Sequence, residues 1–446
     1  MDWRDLLDLA DRRGWLHHVR SEVDPYLEMA RVINALNEEL VLFEHPLGSR
    51  FMVSAGACSQ RCYLAAGMEL EEADLPQALH QALANPSAPT VVSKAACQEE
   101  AIEGADLMAL PILTHYANDG GAYITSAVGV VNDPELGPNL SFHRLMRVDA
   151  RRGTIRLVEN RGMHTAWLKS SERVPVALCI GAPIQVQVAA SISPSPGIDE
   201  MTIANTLSQT EVVRALGSDL LVPASSEFII EGCLARELAD EGPFVDLTRT
   251  RDIVRQQPWF VVERITHRKD AIFQALLPGG SEHRLLMGMP REPTIYAAVN
   301  QVCKCLAVSI TPGGGHWLHA VVQINKQHPD DGLRAIEAAF KGHSSLKHVV
   351  VVDRDVDPND SEAVEWSIAT RFQASKDLLV LHDQPSSSLD PSATYVPGAK
   401  TRTSKMGLDA TIPWEGEDGP AHPADFETMH YEPIDLARFL EPGSCN

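Results

Sequence analysis

Between residues 111 and 300 the chain is a succession of short extended runs, and from residue 301 it switches to strands alternating with helices; this change of pattern constrains the fold most. The runs 124–131, 154–158, 176–180, 184–188, 228–230 and 259–265 are rich in β-branched or aromatic residues, which suit a pleated and half-buried surface. Residues 184–188, Ile-Gln-Val-Gln-Val, alternate strictly, as a strand with one wet face does. Segments 149–153 and 267–270 separate such runs and read as hairpin loops. The spacing predicts a β-barrel or sandwich, with a helical patch over 201–216 as insertion or cover. From 301 onward, strands at 318–324, 348–352 and 378–381 enclose helices at 332–340, closed by Gly342, and 361–370, with Ser361 as N-cap. That order is a βαβαβ unit with a partly parallel sheet, followed by a Ser, Pro, Gly and Asp-rich tail expected to pack as an extended arm. The first 110 residues mix the two patterns: helices at 6–10 and 26–36, an extended stretch over 40–55 broken at Pro46, and a Pro-containing connection over 107–113. The expected organisation is three domains, 1–110, 111–300 and 301–446.

Charge narrows the function. Against 38 Lys and Arg stand 60 Asp and Glu, a net charge of −22 over 446 residues, which argues against a nucleic-acid binder because tracking phosphates needs a basic stripe. No apolar run reaches about 18 residues and the N-terminus is charged where a signal peptide is apolar, so neither a membrane span nor export is expected. The eight cysteines, among them Cys445, form no Cys-x-x-Cys pattern and read as reduced, mostly buried thiols of a cytoplasmic protein.

Several polar residues fall where strand ends and loops are expected. Asn139, His143 and Arg144 follow a Pro-Glu-Leu-Gly-Pro turn, Arg161 and His164 follow the 154–158 run, and Asp199 and Glu200 follow Ser-Pro-Ser-Pro-Gly. An Asn, a His and a carboxylate together can hold a divalent cation, with a phosphate completing the shell. Glu241 and Asp246 flank Gly-Pro-Phe, and two carboxylates facing one Arg can keep one of them proton-bearing. Each residue equally suits a surface loop or a cap, and spacing alone does not decide. His316-x-x-His319 and Gly313 to Gly315 suggest a metal pair or a phosphate loop, but a turn entering a strand explains them better.

Six stretches in order carry a resemblance: Asn139-Leu-Ser-Phe-His-Arg144, Arg161-Gly-Met-His164, Ala190-Ser191-Ile-Ser-Pro with Glu200 following, Glu241-Gly-Pro-Phe-Val-Asp246, Glu282-His-Arg-Leu-Leu-Met-Gly288 and Ser404-Lys405-Met-Gly-Leu-Asp409. Together they resemble the UbiD family of decarboxylases, which use prenylated FMN, over nearly the whole chain. The resemblance implies an α/β fold, with a central flavin-reductase-like split β-barrel and a C-terminal βαβ domain that drives homo-oligomerisation as a dimer or hexamer. It implies that Asn139, His164 and Glu200 bind Mn²⁺ or Mg²⁺, with K⁺ nearby, and that the metal grips the flavin phosphate. Lys405 would be a further phosphate contact, Ser141 and Arg144 would lie along the isoalloxazine, and Ala190 and Ser191 would lie towards the phosphate end. Met163 stands where relatives often carry Gln.

Arg144, Glu241 and Asp246 match the family's catalytic network, with Asp246 one methylene shorter than the Glu of well-known members. The implied reaction is reversible non-oxidative decarboxylation through a covalent prenylated-FMN adduct, with Asp246 as proton donor. The implied substrate is a small aromatic or α,β-unsaturated carboxylic acid. His283, Arg284 and Arg291 match a stretch near the substrate and would hold a second polar or anionic group. A heteroaromatic acid is the expected substrate, and a phosphorylated aliphatic enoate is the alternative. A UbiX-type prenyltransferase would supply the cofactor. A rival reading, a non-catalytic flavin- or metal-binding partner subunit, draws on Asp246 and Met163.

Overall fold

The computed structural model describes residues 1–394, 401–415, 421–426, 429, 431–435 and 438–439; Cys445 lies outside them. At its centre is a nine-stranded sheet. Its strands run in the order Tyr123–Ile124, Leu145–Arg147, Arg152–Ile155, Arg255–His267, Phe228–Glu241, Val174–Ile180, Val128–Asp133 and Gly137–Phe142, with Glu100–Ala101 added beside Arg255–His267. Neighbours on this path are antiparallel. Among the described residues no ladder joins the two edge strands, so the sheet is open, as a split barrel is.

Both faces of this sheet are buried, which explains the continuous apolar runs. Val128, Val130, Ala177, Cys179 and Ile229 pack on one side against the helices Ile184–Ser191 and Glu200–Leu207. Val131, Val176, Leu178, Ile180, Phe228 and Ile230 pack on the other against Phe43 and Val53. Those two belong to a four-stranded sheet of His17–Val23, Val41–Pro46, Met52–Ala55 and Ile272–Gln274. Helix Trp3–Arg12 begins at Asp2, whose side chain accepts from Arg4 N and Asp5 N in a capping box.

The C-terminal sheet has the order Lys304–Ile310, His319–Asn325, His348–Asp353, Arg402–Asp409 and Leu378–Pro385. Its three inner strands are parallel. Helix Asp331–Gly342 lays Ala335, Ile336, Ala339 and Phe340 into the core.

Five expectations are corrected. Residues 184–188 are not a strand but part of the helix Ile184–Ser191, in which every side chain is buried. Alternation misleads there because Gln185 and Gln187 do not face water: Gln187 donates to Ala182 O at 2.7 Å and accepts from Gln274 Nε2 at 2.9 Å. The 201–216 patch holds helix only over Glu200–Leu207, and Glu211–Arg214 is a strand beside Leu221–Pro223 and Thr90–Val92. The loop 267–270 leads not to a hairpin partner but to Ile272–Gln274, which pairs with Met52–Ala55 in the other sheet. The N-cap of Ser361–Arg371 is Asp360, whose carboxylate accepts from Glu362 N and Ala363 N. Finally, the tail is not only an arm: Arg402–Asp409 inserts as a strand between His348–Asp353 and Leu378–Pro385, interrupting the expected βαβαβ order.

Candidate active site

The edge strand Gly137–Phe142 is the hub of the site. Helices Gly162–Lys169, Ile184–Ser191 and Glu200–Leu207 all pack on it, so residues far apart in sequence converge. Asn139 and Ser141 lie on the strand, Met163 and His164 open one helix, Ala190 and Ser191 close the next, and Glu200 begins the third.

Glu200 is buried, and its carboxylate accepts from Asn139 Nδ2 at 2.9 Å and Leu140 N at 2.9 Å. Burial pushes its pKa up to about 7 against those hydrogen bonds, and no cation among the described residues pairs with it. Gly162 is required here, because a Cβ on it would come within 2.1 Å of Asn139 Oδ1. His164 Nδ1 accepts from Asn160 N at 3.2 Å, a long bond to a lone pair that a cation would compete for, and burial lowers the ring's pKa. An amide oxygen, an imidazole lone pair and an uncompensated buried carboxylate are the donor set that a hard or borderline divalent cation takes. Asn139 bonds Glu200, whereas His164 bonds Asn160 N and neither of those two.

Ser141 Oγ bonds His143 Nε2 at 2.9 Å, and His143 Nδ1 bonds Arg156 O at 3.0 Å. Burial lowers His143 to about 4, so it is a neutral prop for Ser141. Met163 is buried against Gly129, and Ser191 Oγ donates to Val188 O at 2.6 Å.

Two residues beyond the hub strand, Arg144 is enclosed by carboxylates. It gives Nε and Nη2 to Glu241 at 2.8 and 3.0 Å, Nη1 to Asp246 at 2.6 Å and Nη2 to Asp252 at 3.0 Å. Burial alone would lower its pKa, but the charges of Glu241, Asp246 and Asp252 outweigh this and raise it. The shorter Asp246 side chain therefore still reaches the guanidinium. Phe244 lies beneath Arg144, Cζ to ring centroid 4.3 Å, and Tyr123 OH donates to Glu241 at 3.3 Å. Glu241 ends the long strand Phe228–Glu241 opposite Arg255, and the small hairpin Phe244–Val245 with Arg251–Asp252 delivers both Asp246 and Asp252. Arg255 pairs with Asp252, so three carboxylates share two guanidinium groups. Sequence reasoning did not single out Asp252, Tyr123 or Phe244. Only the Phe244↔Asp252 register in a two-residue hairpin signals Asp252.

The remaining candidates separate. His283 is within the electrostatic reach of Asp246 and Arg144, and burial lowers its pKa. Arg284 is tied to Gly280 O and Pro312 O. Arg291 meets Ser193 and Trp317 instead. Lys405 donates to Ser344 O at 2.7 Å, lies over Phe340 and lines a cleft with Gln384 and Glu337. His316 and His319 bond Ile310 O and Thr311 Oγ1, which is the turn-into-strand reading. The seven described cysteines are unpaired.

An arginine clamped by three carboxylates is an acid–base arrangement, carried here on an open antiparallel sheet in a chain that also holds a parallel α/β unit. The chain belongs to the 3-octaprenyl-4-hydroxybenzoate carboxy-lyase (UbiD) family: the N-terminal, Rift-related and C-terminal domain models match residues 7–83, 90–281 and 284–410. It is 41% identical over 406 residues to an anhydromevalonate phosphate decarboxylase of Methanothermobacter thermautotrophicus, covering 89% of this chain and 93% of the relative. Among solved structures it resembles the UbiD-class enzyme HmfF of Pelotomaculum thermopropionicum in complex with FMN, at TM-score 0.91 and 34% identity over 98% of this chain and 100% of that one. An evolved dimeric form of HmfF in complex with prFMN matches at TM-score 0.87 and 33% identity, with the same coverage.

Proposed function

We propose that this UbiD-family decarboxylase removes CO₂ from a phosphorylated, α,β-unsaturated aliphatic acid of the anhydromevalonate phosphate type, using prenylated FMN. The support is the extent of likeness to a decarboxylase of that name, which favours the phosphorylated enoate over the heteroaromatic acid. Loss of CO₂ leaves an electron pair on an sp² carbon, and the bound flavin supplies the sink for it. Asn139, His164 and Glu200 would hold Mn²⁺ or Mg²⁺, with K⁺ adjacent, at the flavin phosphate. Ser141, Met163, Ala190, Ser191 and Lys405 would complete the cofactor's surroundings.

The single observation that carries the catalytic assignment is the Arg144 network. Asp246 is its most accessible carboxylate, with 16% side-chain exposure against 0% for Glu241 and 9% for Asp252. Three carboxylates on two guanidinium groups leave one negative charge in excess, so one proton can be held without stripping Arg144 of its partners. Asp246 carries that proton to the substrate carbon, and Glu241 fixes the guanidinium that orients it. An intact network argues against the non-catalytic partner-subunit reading.

A UbiX-type prenyltransferase supplies the cofactor, and the protein works as a cytoplasmic homo-oligomer, dimer or hexamer, built on domains 1–110, 111–300 and 301–446. Asp246→Asn and Glu241→Gln in cofactor-loaded protein are each expected to lower kcat by about 10²-fold or more, read as CO₂ release. Near wild-type turnover in both variants would refute the assigned roles.

A further inference from the structure

The turn that carries Asp246 is fastened to the N-terminal part of the chain by the side chain of Arg249. Asp246 N donates to Thr250 O at 3.1 Å and Arg249 N donates to Asp246 O at 2.8 Å, which closes the turn. Within it, Asp246 Oδ1 accepts from Leu247 N at 2.7 Å, while Oδ2 accepts from Arg144. The position of the Asp246 carboxylate is therefore set by the position of the turn. Arg249 lies at φ +58°, a left-handed conformation that an arginine adopts only at a cost. Its side chain offsets that cost by reaching out of the turn: Nε donates to Gly279 O at 2.9 Å, and Nη2 donates to Glu38 Oε1 at 3.0 Å.

Glu38 uses both of its oxygens. While Oε1 takes Arg249, Oε2 accepts from Ser281 N at the start of the helix Ser281–Gly288, which bears His283. A Cβ on Gly280 would collide with Glu38 Oε2, so a glycine is needed for this approach. Gly279 joins the same segments a second time. Its N donates to His283 Nδ1 at 3.1 Å, its O takes Arg249 Nε, and a Cβ on it would lie 2.8 Å from Asp246 O. An ion pair between two exposed side chains contributes little. Here the Glu38 side chain is only 5% exposed against 52% for Arg249, so loss of the guanidinium leaves a buried carboxylate oxygen without the cation it faces.

We propose that Arg249 is a positioning residue: through Glu38 and Gly279 it locks the Asp246 turn onto the start of the helix that bears His283, and so sets the geometry in which Asp246 delivers its proton. This rests on the proposed role of Asp246. Proton transfer needs hydrogen-bond reach, so a small displacement of the donor slows it without changing how the substrate is held. Thr248 Oγ1, which donates to Leu389 O at 3.2 Å, gives the turn a second and uncharged tie, so the turn is retained when Arg249 is replaced.

The test compares full-length wild type with Arg249→Gln, Arg249→Lys, Asp246→Asn and the Arg249→Gln/Asp246→Asn double variant. Amide hydrogen exchange, which needs no turnover, is expected to quicken in Arg249→Gln at residues 246–250 and 279–283 together. In cofactor-loaded protein, Arg249→Gln is expected to lower kcat by about 10-fold, the loss of one charge-assisted contact, with KM changed less than about threefold. The solvent deuterium isotope effect on kcat should rise, because proton delivery becomes slower relative to the other steps; a merely structural loss of active protein leaves it unchanged. Arg249→Lys should recover only part of the rate, since an ammonium lacks the fork that holds Gly279 O and Glu38 at once. In the Asp246→Asn background, Arg249→Gln should cost less than about twofold, because the two act on one step. Unchanged hydrogen exchange, an isotope effect equal to that of wild type, or the full loss repeated in the Asp246→Asn background refutes the positioning role while Asp246 keeps its own. If Asp246→Asn alone turns over like wild type, the proton-donor reading fails and the role of Arg249 falls with it.

Discussion

Asp252 shows how much of the site rests on a residue with no motif of its own. It accepts from Arg144 Nη2 and also pairs with Arg255, so it fixes the side of the guanidinium that Asp246 leaves free. In Asp252→Asn the shape is kept and one charge is lost, so kcat is expected to fall about 10-fold, the scale of one charge-assisted hydrogen bond, with KM changed less than about threefold. Equal kcat in steady-state assays would remove Asp252 from the network's function. Glu282 offers a different residue-scale test. It is fully buried and accepts from Gly56 N and Cys58 N, yet burial raises its pKa to about 7. The folded state therefore holds this proton more tightly than the unfolded chain, so the stabilisation is complete below about 4.5 and is lost as pH rises through about 7. The unfolding free energy of wild type, read from urea titrations, is expected to fall by roughly 1–3 kcal/mol between pH 5.5 and 8.5 from this group. Glu282→Gln should flatten that slope, leaving the share due to Glu200, and an unchanged slope would contradict the assignment.

At the scale of elements, the helix Ile184–Ser191 separates what alternation can tell from what burial decides. Period-2 patterning predicts a strand when polar residues face water, but Gln187 faces Ala182 O, Gln274 and the Cys58 thiol inside the protein. A helix surrounded on all sides loses the amphipathic signature by which helices are recognised. Gln187→Leu would strand Gln274 Nε2, so unfolding free energy is expected to drop by roughly 1–3 kcal/mol in urea titration; unaltered stability would mean that the buried amides carry no net weight. Residues 402–409 were illegible for another reason. One partner, 348–353, lies across the helix Ser361–Arg371 in sequence, and the Ser-Pro-Gly composition between 385 and 402 masks a central strand. Helices with caps and stops, such as Trp3–Arg12 and Asp331–Gly342, were legible because their signals are local.

For the whole molecule, the fold class was readable from the change of pattern near residue 301, because a sheet buried on both faces and a parallel α/β unit write different sequences. Arg144, Glu241 and Asp246, and the Asn139 and Glu200 pair, were legible through ordered motifs. The net charge of −22 sets a demand: an acidic chain that decarboxylates an acid needs local positive charge at its site, and the buried Arg144 supplies it. Among the described residues no helix is long and apolar enough to cross a membrane. The most direct measurement of the central claim is single-substrate turnover by protein co-produced with a flavin prenyltransferase, with anhydromevalonate phosphate as substrate and product mass and CO₂ both recorded. One CO₂ released per molecule of a decarboxylated, still phosphorylated product is the expected result; confirmed prenylated-flavin loading with no CO₂ from this or any unsaturated acid would contradict it.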